Sequence, residues 1–147
     1  MLAFVGRTRD REIAGLIDRY VERAGRMARV EIRVVQASRA ARPERRRRDD
    51  SASLLRACRP GASVLLSPAG AAWTSEKVAS YLRDRLVRAS LPTTFAVAGE
   101  EGLDDESWAD ERVSLGRMTL PHELARVILA EQVYRGLTII HNVKYHK

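Results

Sequence analysis

The chain is poor in the residue types that mark several protein classes. It has one cysteine, Cys58, among 147 residues, which excludes an internal disulfide framework and agrees with a reducing cytosol. The apolar run at residues 1–5 is too short for a signal peptide, and no later run approaches the length of a membrane span. We therefore expect a cytoplasmic protein with no membrane partner, folded as one domain over residues 1–147.

Histidine is also scarce, and its placement is uneven. The three histidines, His122, His141 and His146, all lie in the last third of the chain. Clustering of this kind is more typical of a functional site than of packing. Because His141 and His146 lack the cysteine or carboxylate neighbours of a zinc site, we expect no metal.

Acidic residues are outnumbered by basic ones. The sequence has 26 Lys and Arg residues against 19 Asp and Glu residues, a formal net charge of +7, and nearly all of the basic residues are arginine. The planar guanidinium group suits phosphate recognition, so nucleic acid is the first partner to consider. Enzymes that never bind RNA can be equally basic, so charge alone does not decide between these classes.

Short apolar runs alternate with amphipathic stretches along the chain. This order is typical of an α/β protein with a mostly parallel sheet flanked by helices. The apolar runs predict strands over residues 2–5, 63–67 and 94–98, with a half-exposed, peripheral strand over residues 30–34. Helical spacing predicts helices over residues 8–23, 75–87 and about 122–139, and a short helix that ends at residue 58.

A polar segment interrupts this alternation at residues 37–50. It has no periodic apolar residues, and it contains four consecutive arginines, Arg45 to Arg48. One interpretation is a solvated connecting loop. The other is an RNA-phosphate clamp that orders only on binding.

Two glycine-containing turns follow predicted strands, at residues 66–70 and 98–102. In open α/β sheets, ligands bind beyond the carboxyl ends of the strands, so both turns could face one pocket. The spacing of Gly99 and Gly102 is not a dinucleotide fingerprint, and no phosphate-binding lysine follows it.

The last predicted helix starts near His122, because Pro121 suits the beginning of a helix. Residues 127–130 are apolar on every side of this helix, as expected if other elements or a partner subunit enclose it. Glu131 and Arg135 have the i, i+4 spacing of an intrahelical ion pair. A purely structural C-terminus usually frays, so the aromatic and imidazole side chains at residues 141–147 indicate a role beyond packing.

The chain resembles the family of ribosomal large-subunit pseudouridine N3-methyltransferases, the small single-domain branch of the trefoil-knot (SPOUT) methyltransferases. The resemblance covers the whole chain and is strongest from Val97 onward. The matching segments are Val5-Gly6-Arg7, the Leu66 to Gly70 turn, Leu120-Pro121-His122, Arg126-Val127, Glu131-Gln132, Tyr134-Arg135 and Tyr145-His146-Lys147. Three positions depart from the family pattern: Ser67 replaces an acidic residue, Ala71 a lysine, and Ala98 the first of two adjacent glycines.

The resemblance implies a C-terminal trefoil knot, in which the helix after Pro121 is threaded through the preceding loop, and a homodimer. It also implies S-adenosyl-L-methionine as cofactor, bound in a pocket of knot loops. A side chain at Gly99 is expected to occupy the volume of this cofactor. By position, the cofactor-binding residues are Leu66, Gly99, Gly116, Arg117, Met118, Thr119, Leu120 and Pro121.

The implied reaction is transfer of a methyl group to N3 of a pseudouridine in large-subunit ribosomal RNA, within the assembled ribosome. The imide proton at N3 must be removed, and our preferred residues are His146 and Tyr145 from the tail of the second subunit, with Glu101 as the alternative base. We expect the helix dipole to keep His122 neutral. The candidate RNA contacts are Arg45, Arg46, Arg47, Arg48, His122, Arg126, Arg135, Asn142 and Lys147.

Two other functions remain open from the sequence. The departures at Ser67, Ala71 and Ala98 suit a knotted ribosome-binding or assembly factor that has lost transfer activity. A knotted methyltransferase that acts on another RNA nucleotide has the same sequence features.

Overall fold

A computed structural model describes residues 1–88 and 91–145 of the chain. Its centre is a five-stranded sheet in the order β2-β1-β4-β3-β5, with every neighbouring pair parallel. The strands are β1 (Leu2–Val5), β2 (Ile32–Val35), β3 (Ala62–Ala72), β4 (Thr93–Val97) and β5 (Glu111–Ser114). The helices are α1 (Arg11–Gly25), α2 (Pro43–Cys58), α3 (Ser75–Arg88) and α4 (His122–Ile140).

The helices cover both faces of the sheet, because successive strand residues point to opposite sides. In β1, Leu2 and Phe4 pack with apolar side chains of α1, α3 and α4. Ala3 and Val5 pack on the other side, with Leu54 of α2. The α/β class predicted from the order of apolar runs is confirmed. No helix in the described part of the chain is long and apolar enough to span a bilayer.

Two helix starts follow the rules of N-capping. The Asp10 Oδ1 atom accepts hydrogen bonds from the backbone N–H groups of Glu12 (2.8 Å) and Ile13 (3.0 Å), so α1 begins slightly later than predicted. At the start of α3, the Lys77 N–H donates to Thr74 Oγ1 at 3.2 Å. β2 lies at the edge of the sheet with partly exposed side chains, which confirms its peripheral position.

The largest difference from the prediction is α2. The prediction of a connecting loop over residues 37–50 is wrong, because a helix begins at Pro43. Proline suits the first turn of a helix, arginine is a good helix former, and Arg45 Nε lies 3.0 Å from Asp49 Oδ1 in an i, i+4 ion pair. The first apolar anchor of α2, Leu54, comes late in the helix, so the first half shows no periodicity.

β3 contains a bulge beside the end of the sheet. It pairs with β5 up to Leu66 and again from Ala71, and residues 67–70 bulge out between these points. A Cβ atom at Gly70 would lie 2.5 Å from the carbonyl carbon of Arg112, so only glycine allows the two backbones to come this close. The sequence did not predict β5, which is a short edge strand rich in charge.

α4 begins and ends close to the predicted residues, but it is not enclosed on all sides. Leu129 and Ala130 are buried, whereas Val127 and Ile128 are only partly buried, and Leu124 is 43 % exposed. A partly exposed apolar stripe therefore runs along the first half of the helix. Within one chain, therefore, only part of the apolar surface at residues 127–130 is covered by other elements.

The C-terminal end of α4 is a left-handed turn. Asn142 has a φ of +54°, and the backbone N–H of Val143 donates to the carbonyl oxygen of Thr138 at 2.9 Å. This pattern is a Schellman motif, which ends the helix and reverses the chain. The tail consequently returns toward α4.

Candidate cofactor cleft and neighbouring clusters

A cleft of about 910 Å³ opens at the carboxyl ends of β3 and β4. Its walls come from the β3 bulge, the loop after β4, and the segment that leads into α4, with Arg9 and Asp10 at one side. Ligands of open parallel sheets bind at this end of the strands. The volume falls within the range of small-molecule sites, roughly 300–1,000 Å³.

Six of the eight residues proposed for the cofactor line this cleft. They are Leu66, Gly99, Met118, Thr119, Leu120 and Pro121. Gly116 and Arg117 belong to the same segment but are not among the lining residues. The two glycine-containing turns therefore lie on one cleft, as their positions after neighbouring strands predicted.

Gly99 lines the cleft with its backbone, but its missing side chain would point elsewhere. A Cβ atom at this position would lie 3.2 Å from Val5 Cγ1 and 3.8 Å from Asp50 Oδ2. A Cβ atom here would therefore press on Val5 of β1. The absence of a side chain at Gly99 thus allows the loop to pack on Val5. The expectation that a side chain at Gly99 would occupy the volume of the cofactor stays a prediction.

Glu106 is a cleft residue that sequence reasoning missed. Ser67, which is buried, donates from Oγ to Glu106 Oε2 at 2.8 Å, and both residues line the cleft. The family pattern has an acidic residue at the position of Ser67. In this chain, a carboxylate reaches the same wall from a different loop. Only the contact across the sheet end reveals it.

Carboxylates outnumber cations around the cleft, although the chain is basic as a whole. Asp10, Glu100, Glu106 and Glu123 line it, against Arg9. The Arg9 backbone N–H donates to Glu123 Oε1 at 2.7 Å, and this hydrogen bond lowers the pKa of Glu123. The carboxylates give the cleft a local field that favours a cationic ligand.

His122 lines the cleft at the first residue of α4. Burial lowers the pKa of His122, and the positive charge of Arg126 lowers it further. The imidazole is therefore neutral at pH 7 and can accept a hydrogen bond or a proton. The direction agrees with the neutral His122 expected at a helix start, but the main cause is burial.

Arg126 is buried completely and does not face solvent. Its Nη2 donates to the carbonyl oxygen of Val5 at 2.5 Å, its Nη1 donates to Thr8 Oγ1 at 3.0 Å, and its guanidinium lies 5.2 Å from the ring centroid of Phe4. These contacts tie α4 to the end of β1. The expected phosphate contact of Arg126 is wrong, because RNA cannot reach a fully buried guanidinium.

The four consecutive arginines occupy the first turns of α2. Arg45 pairs with Asp49, and Arg48 Nε lies 3.7 Å from Asp104 Oδ2. Arg47 is partly exposed. A phosphate that binds Arg45 or Arg48 must compete with a carboxylate of the same chain.

Arg46 is engaged more fully than its neighbours. Its Nε donates to Glu101 Oε1 at 2.6 Å, and its Nη2 contacts the same oxygen. Glu101 is not among the residues that line the cleft. The structure therefore does not bring this candidate base next to the expected ligand.

Tyr145 folds back onto α4. Its hydroxyl donates to Glu131 Oε1 at 3.0 Å, and its ring meets Tyr134 edge-on with 4.7 Å between centroids. Burial and hydrogen bonds with Tyr20 and Glu131 raise the pKa of Tyr145, so the phenol stays protonated at neutral pH. Tyr145 does not line the cleft of its own chain.

The other candidate residues of the last helix and tail have separate environments. Arg135 Nη2 lies 2.6 Å from Glu131 Oε1, which confirms the predicted i, i+4 pair, and its guanidinium lies 4.9 Å from the ring centroid of Tyr145. Asn142 is exposed and forms the left-handed turn. His146 and Lys147 lie outside the described residues.

Two further kinds of site were considered: a reactive cysteine and a metal centre. Burial raises the pKa of Cys58 to about 11, so the thiol is not an activated nucleophile. Within residues 1–88 and 91–145, no three His, Cys, Asp or Glu side chains lie together in a way that could hold a metal ion.

The fold and the cleft define an α/β protein with an all-parallel sheet and a candidate ligand site at the carboxyl ends of its strands. Comparison with known families is more specific. A family model described as "Predicted SPOUT methyltransferase" matches residues 1–146, and the chain belongs to this family.

Curated relatives match over nearly the full length of both chains. A protein of Methylocella silvestris is 36 % identical over all of this chain and 98 % of its own length. One from Rhizobium leguminosarum bv. trifolii is 37 % identical over 97 % and 95 %, and one from Geobacter sp. is 35 % identical over 99 % and 96 %. Each of the three is named ribosomal RNA large subunit methyltransferase H.

Proposed function

We propose that this protein is a cytoplasmic, S-adenosylmethionine-dependent methyltransferase that acts on N3 of a pseudouridine in large-subunit ribosomal RNA. Family membership and the names of full-length relatives support methyl transfer to ribosomal RNA. The observation that carries the proposal is the cleft at the ends of β3 and β4, lined by six of the residues proposed for the cofactor. The choice of pseudouridine N3 and the single catalytic domain over residues 1–147 rest on the family resemblance of the sequence.

The residues around the cleft fit S-adenosylmethionine. The cleft volume of about 910 Å³ suits a ligand of this size, and its carboxylates suit the positive sulfonium and ammonium groups. Apolar Leu66, Met118 and Leu120 line the cleft together with polar Ser67 and Thr119. When bound, this cofactor would supply a methyl group activated by the positive sulfur.

The chain itself must align the acceptor base and remove its N3 proton. His122 is suited to accept a proton or a hydrogen bond, because it lines the cleft and its pKa is lowered. We propose that Tyr145 and His146 orient the base from the tail of a second subunit. Glu101 is less suited to the role of base, because Arg46 holds its carboxylate.

We propose a homodimer that forms on one partly exposed face of α4, which contains the apolar stripe of its first half. Leu124, Ile128, Glu131 and Arg135 follow each other at i, i+4, i+7 and i+11, so they share one face. An antiparallel pairing of two such faces would bring the tail of one chain near the helix start, and hence the cleft, of the other. Light scattering should give twice the chain mass of 16.5 kDa. A monomer at micromolar concentration would contradict the shared site.

RNA affinity is assigned to the exposed arginines of α2. Arg45, Arg47 and Arg48 are all at least partly exposed, and they remain candidates for phosphate contacts. The triple substitution of these three residues by serine should flatten the salt dependence of ribosome binding, by roughly one unit of slope for each phosphate that the variant no longer neutralises. If affinity is unchanged at every salt concentration, this helix is not part of the RNA interface.

The decisive test of the reaction is nucleoside mass spectrometry of ribosomal RNA from a deletion strain. Loss of N3-methylpseudouridine, restored by the intact gene, is the expected result. Loss of a different methylated nucleoside would assign another target. Calorimetric titration with S-adenosylmethionine separates an enzyme from an inactive knotted assembly factor, because the assembly factor is not expected to bind the cofactor.

A further inference from the structure

α2 is fastened to the loop that forms one wall of the cleft. Ser51, which is buried, donates from Oγ to the carbonyl oxygen of Asp105 at 2.7 Å and accepts a hydrogen bond from the Asp105 N–H at 3.2 Å. Arg46 holds Glu101 at the other end of the same loop. The basic helix therefore contacts a loop in which Gly99, Glu100, Gly102 and Glu106 border the cleft.

The contacts of Arg46 involve its whole guanidinium group. Besides Glu101, its Nη1 donates to the carbonyl oxygens of Ala40 (2.8 Å) and Ala41 (3.1 Å). The side chains of Arg46 and Glu101 are 28 % and 33 % exposed. An arginine with three acceptors in a fixed fork geometry loses little further freedom when it holds the carboxylate. Arg46 thus joins the loop before α2 to the loop after β4.

The Gly99–Gly102 turn gains a restraint from the contact of Arg46 with Glu101, because two of its four residues are glycine. Gly99 and Gly102 lie on either side of Glu101, and Gly102 has a φ of +72°. The Gly102 N–H donates to the Gly99 carbonyl oxygen at 3.1 Å in a tight turn, and the side chain of Glu100 is exposed. Glycine backbones have the largest conformational freedom to lose on ordering.

We propose that Arg46 is a positioning residue for the cofactor: through Glu101 it holds the Gly99–Gly102 turn in the conformation that forms the cleft wall. This inference rests on the proposed function, because it takes the cleft as the S-adenosylmethionine site. It separates Arg46 from the other arginines of α2. Arg46 acts on the cofactor site, whereas a phosphate contact would act on RNA affinity.

The test compares Arg46→Ala, Glu101→Ala and the double variant, with Arg26→Ala as the matched control. Arg26 forms an exposed i, i+4 pair with Glu22 at 3.3 Å on α1 and does not line the cleft. Hydrogen exchange in the free protein should speed up at the amides of residues 99–106 in Arg46→Ala but not in Arg26→Ala. This measurement needs neither cofactor nor RNA.

Cofactor binding gives the second measurement. Calorimetry without RNA should show S-adenosylmethionine binding weakened about threefold to tenfold by Arg46→Ala and by Glu101→Ala, with no additional weakening in the double variant. Arg46→Lys should keep part of the affinity, because a lysine can still pair with Glu101. In turnover assays of Arg46→Ala, KM for the cofactor should rise while kcat at saturation stays close to that of the wild type.

The outcomes distinguish the two proposals. If the wild type binds S-adenosylmethionine and Arg46→Ala binds it equally well, or if the two single effects add, the positioning role is wrong. Unchanged hydrogen exchange of the loop in Arg46→Ala also overturns it, whatever the cofactor result. If the wild type binds no S-adenosylmethionine, the proposed cofactor fails, and the positioning role toward it fails too. In that case, faster hydrogen exchange of the loop in Arg46→Ala would show only that Arg46 restrains the loop, with no role in cofactor binding.

Discussion

Ser67 and Glu106 lie 39 residues apart in the chain and share a hydrogen bond of 2.8 Å on the wall of the cleft. Because the serine is buried, its hydroxyl fixes one oxygen of the carboxylate at the edge of the cavity. A carboxylate held in this way adds negative charge to a site that already has more acidic than basic residues. The cleft should therefore bind a positively charged ligand more tightly than a neutral one.

Replacement of Glu106 by glutamine should weaken the binding of S-adenosylmethionine more than that of S-adenosylhomocysteine. Glutamine can still accept a hydrogen bond from Ser67, but it removes the charge that attracts the sulfonium. We expect affinity for the charged ligand to fall about twofold to fivefold, as for a partly exposed charge pair. Calorimetry with both ligands tests this, with the exposed Glu22→Gln as control. Equal weakening for the two ligands would contradict the charge explanation.

Replacement of Arg126 by alanine should destabilise the fold without changing the salt dependence of RNA binding. The substitution leaves a cavity and removes the donors to Val5 and Thr8, which should lower the free energy of unfolding by about 3 kcal/mol. Denaturant titration measures this decrease. The exposed Arg23→Ala should change stability by less than about 0.5 kcal/mol. Normal stability of Arg126→Ala would mean that its buried contacts contribute nothing.

The lowered pKa of His122 determines how this residue makes the stability of the fold depend on pH. The unfolded chain titrates near 6.5 and the folded chain below it, so the unfolded state binds more protons in this window. The contribution of His122 is therefore complete above pH 6.5 and is lost as the pH falls through the folded pKa. The unfolding free energy of the wild type minus that of His122→Asn should be constant above pH 6.5 and should decrease as the pH falls below it. An NMR titration midpoint for His122 above 6.5 would contradict the assignment.

Asn142 offers a test of a structural against an RNA-binding role. Its left-handed backbone conformation suits asparagine or glycine, so Asn142→Gly should be close to neutral, whereas Asn142→Ala should cost about 1 kcal/mol. If the turn is its whole role, Asn142→Gly also retains RNA affinity. Weaker RNA binding by the glycine variant, with stability intact, would instead indicate that the amide contacts RNA. Thermal unfolding and ribosome binding are the measurements.

Most of the architecture could be predicted from local patterns. The alternation of buried runs and amphipathic stretches is sufficient for the α/β class, for the edge position of β2 and for the limits of α4. The short helix predicted to end at residue 58 is the last part of α2. The arginine-rich first part of α2 and the strand β5 could not be predicted, because arginine-rich turns and a charged edge strand lack the periodicity on which such predictions depend. The stability of both elements comes from contacts with distant segments.

The sequence by itself determined the family, the parallel sheet and the segments that meet at the cleft, because glycines, Pro121 and apolar periodicity act locally. Only the tertiary structure decided which charges are available. It buried Arg126 beneath the end of β1, paired Arg46 with Glu101, and placed Glu106 beside Ser67. The physical reason is that the role of an ionisable side chain depends on its exposure and on its partner, and these partners lie tens of residues away in the chain.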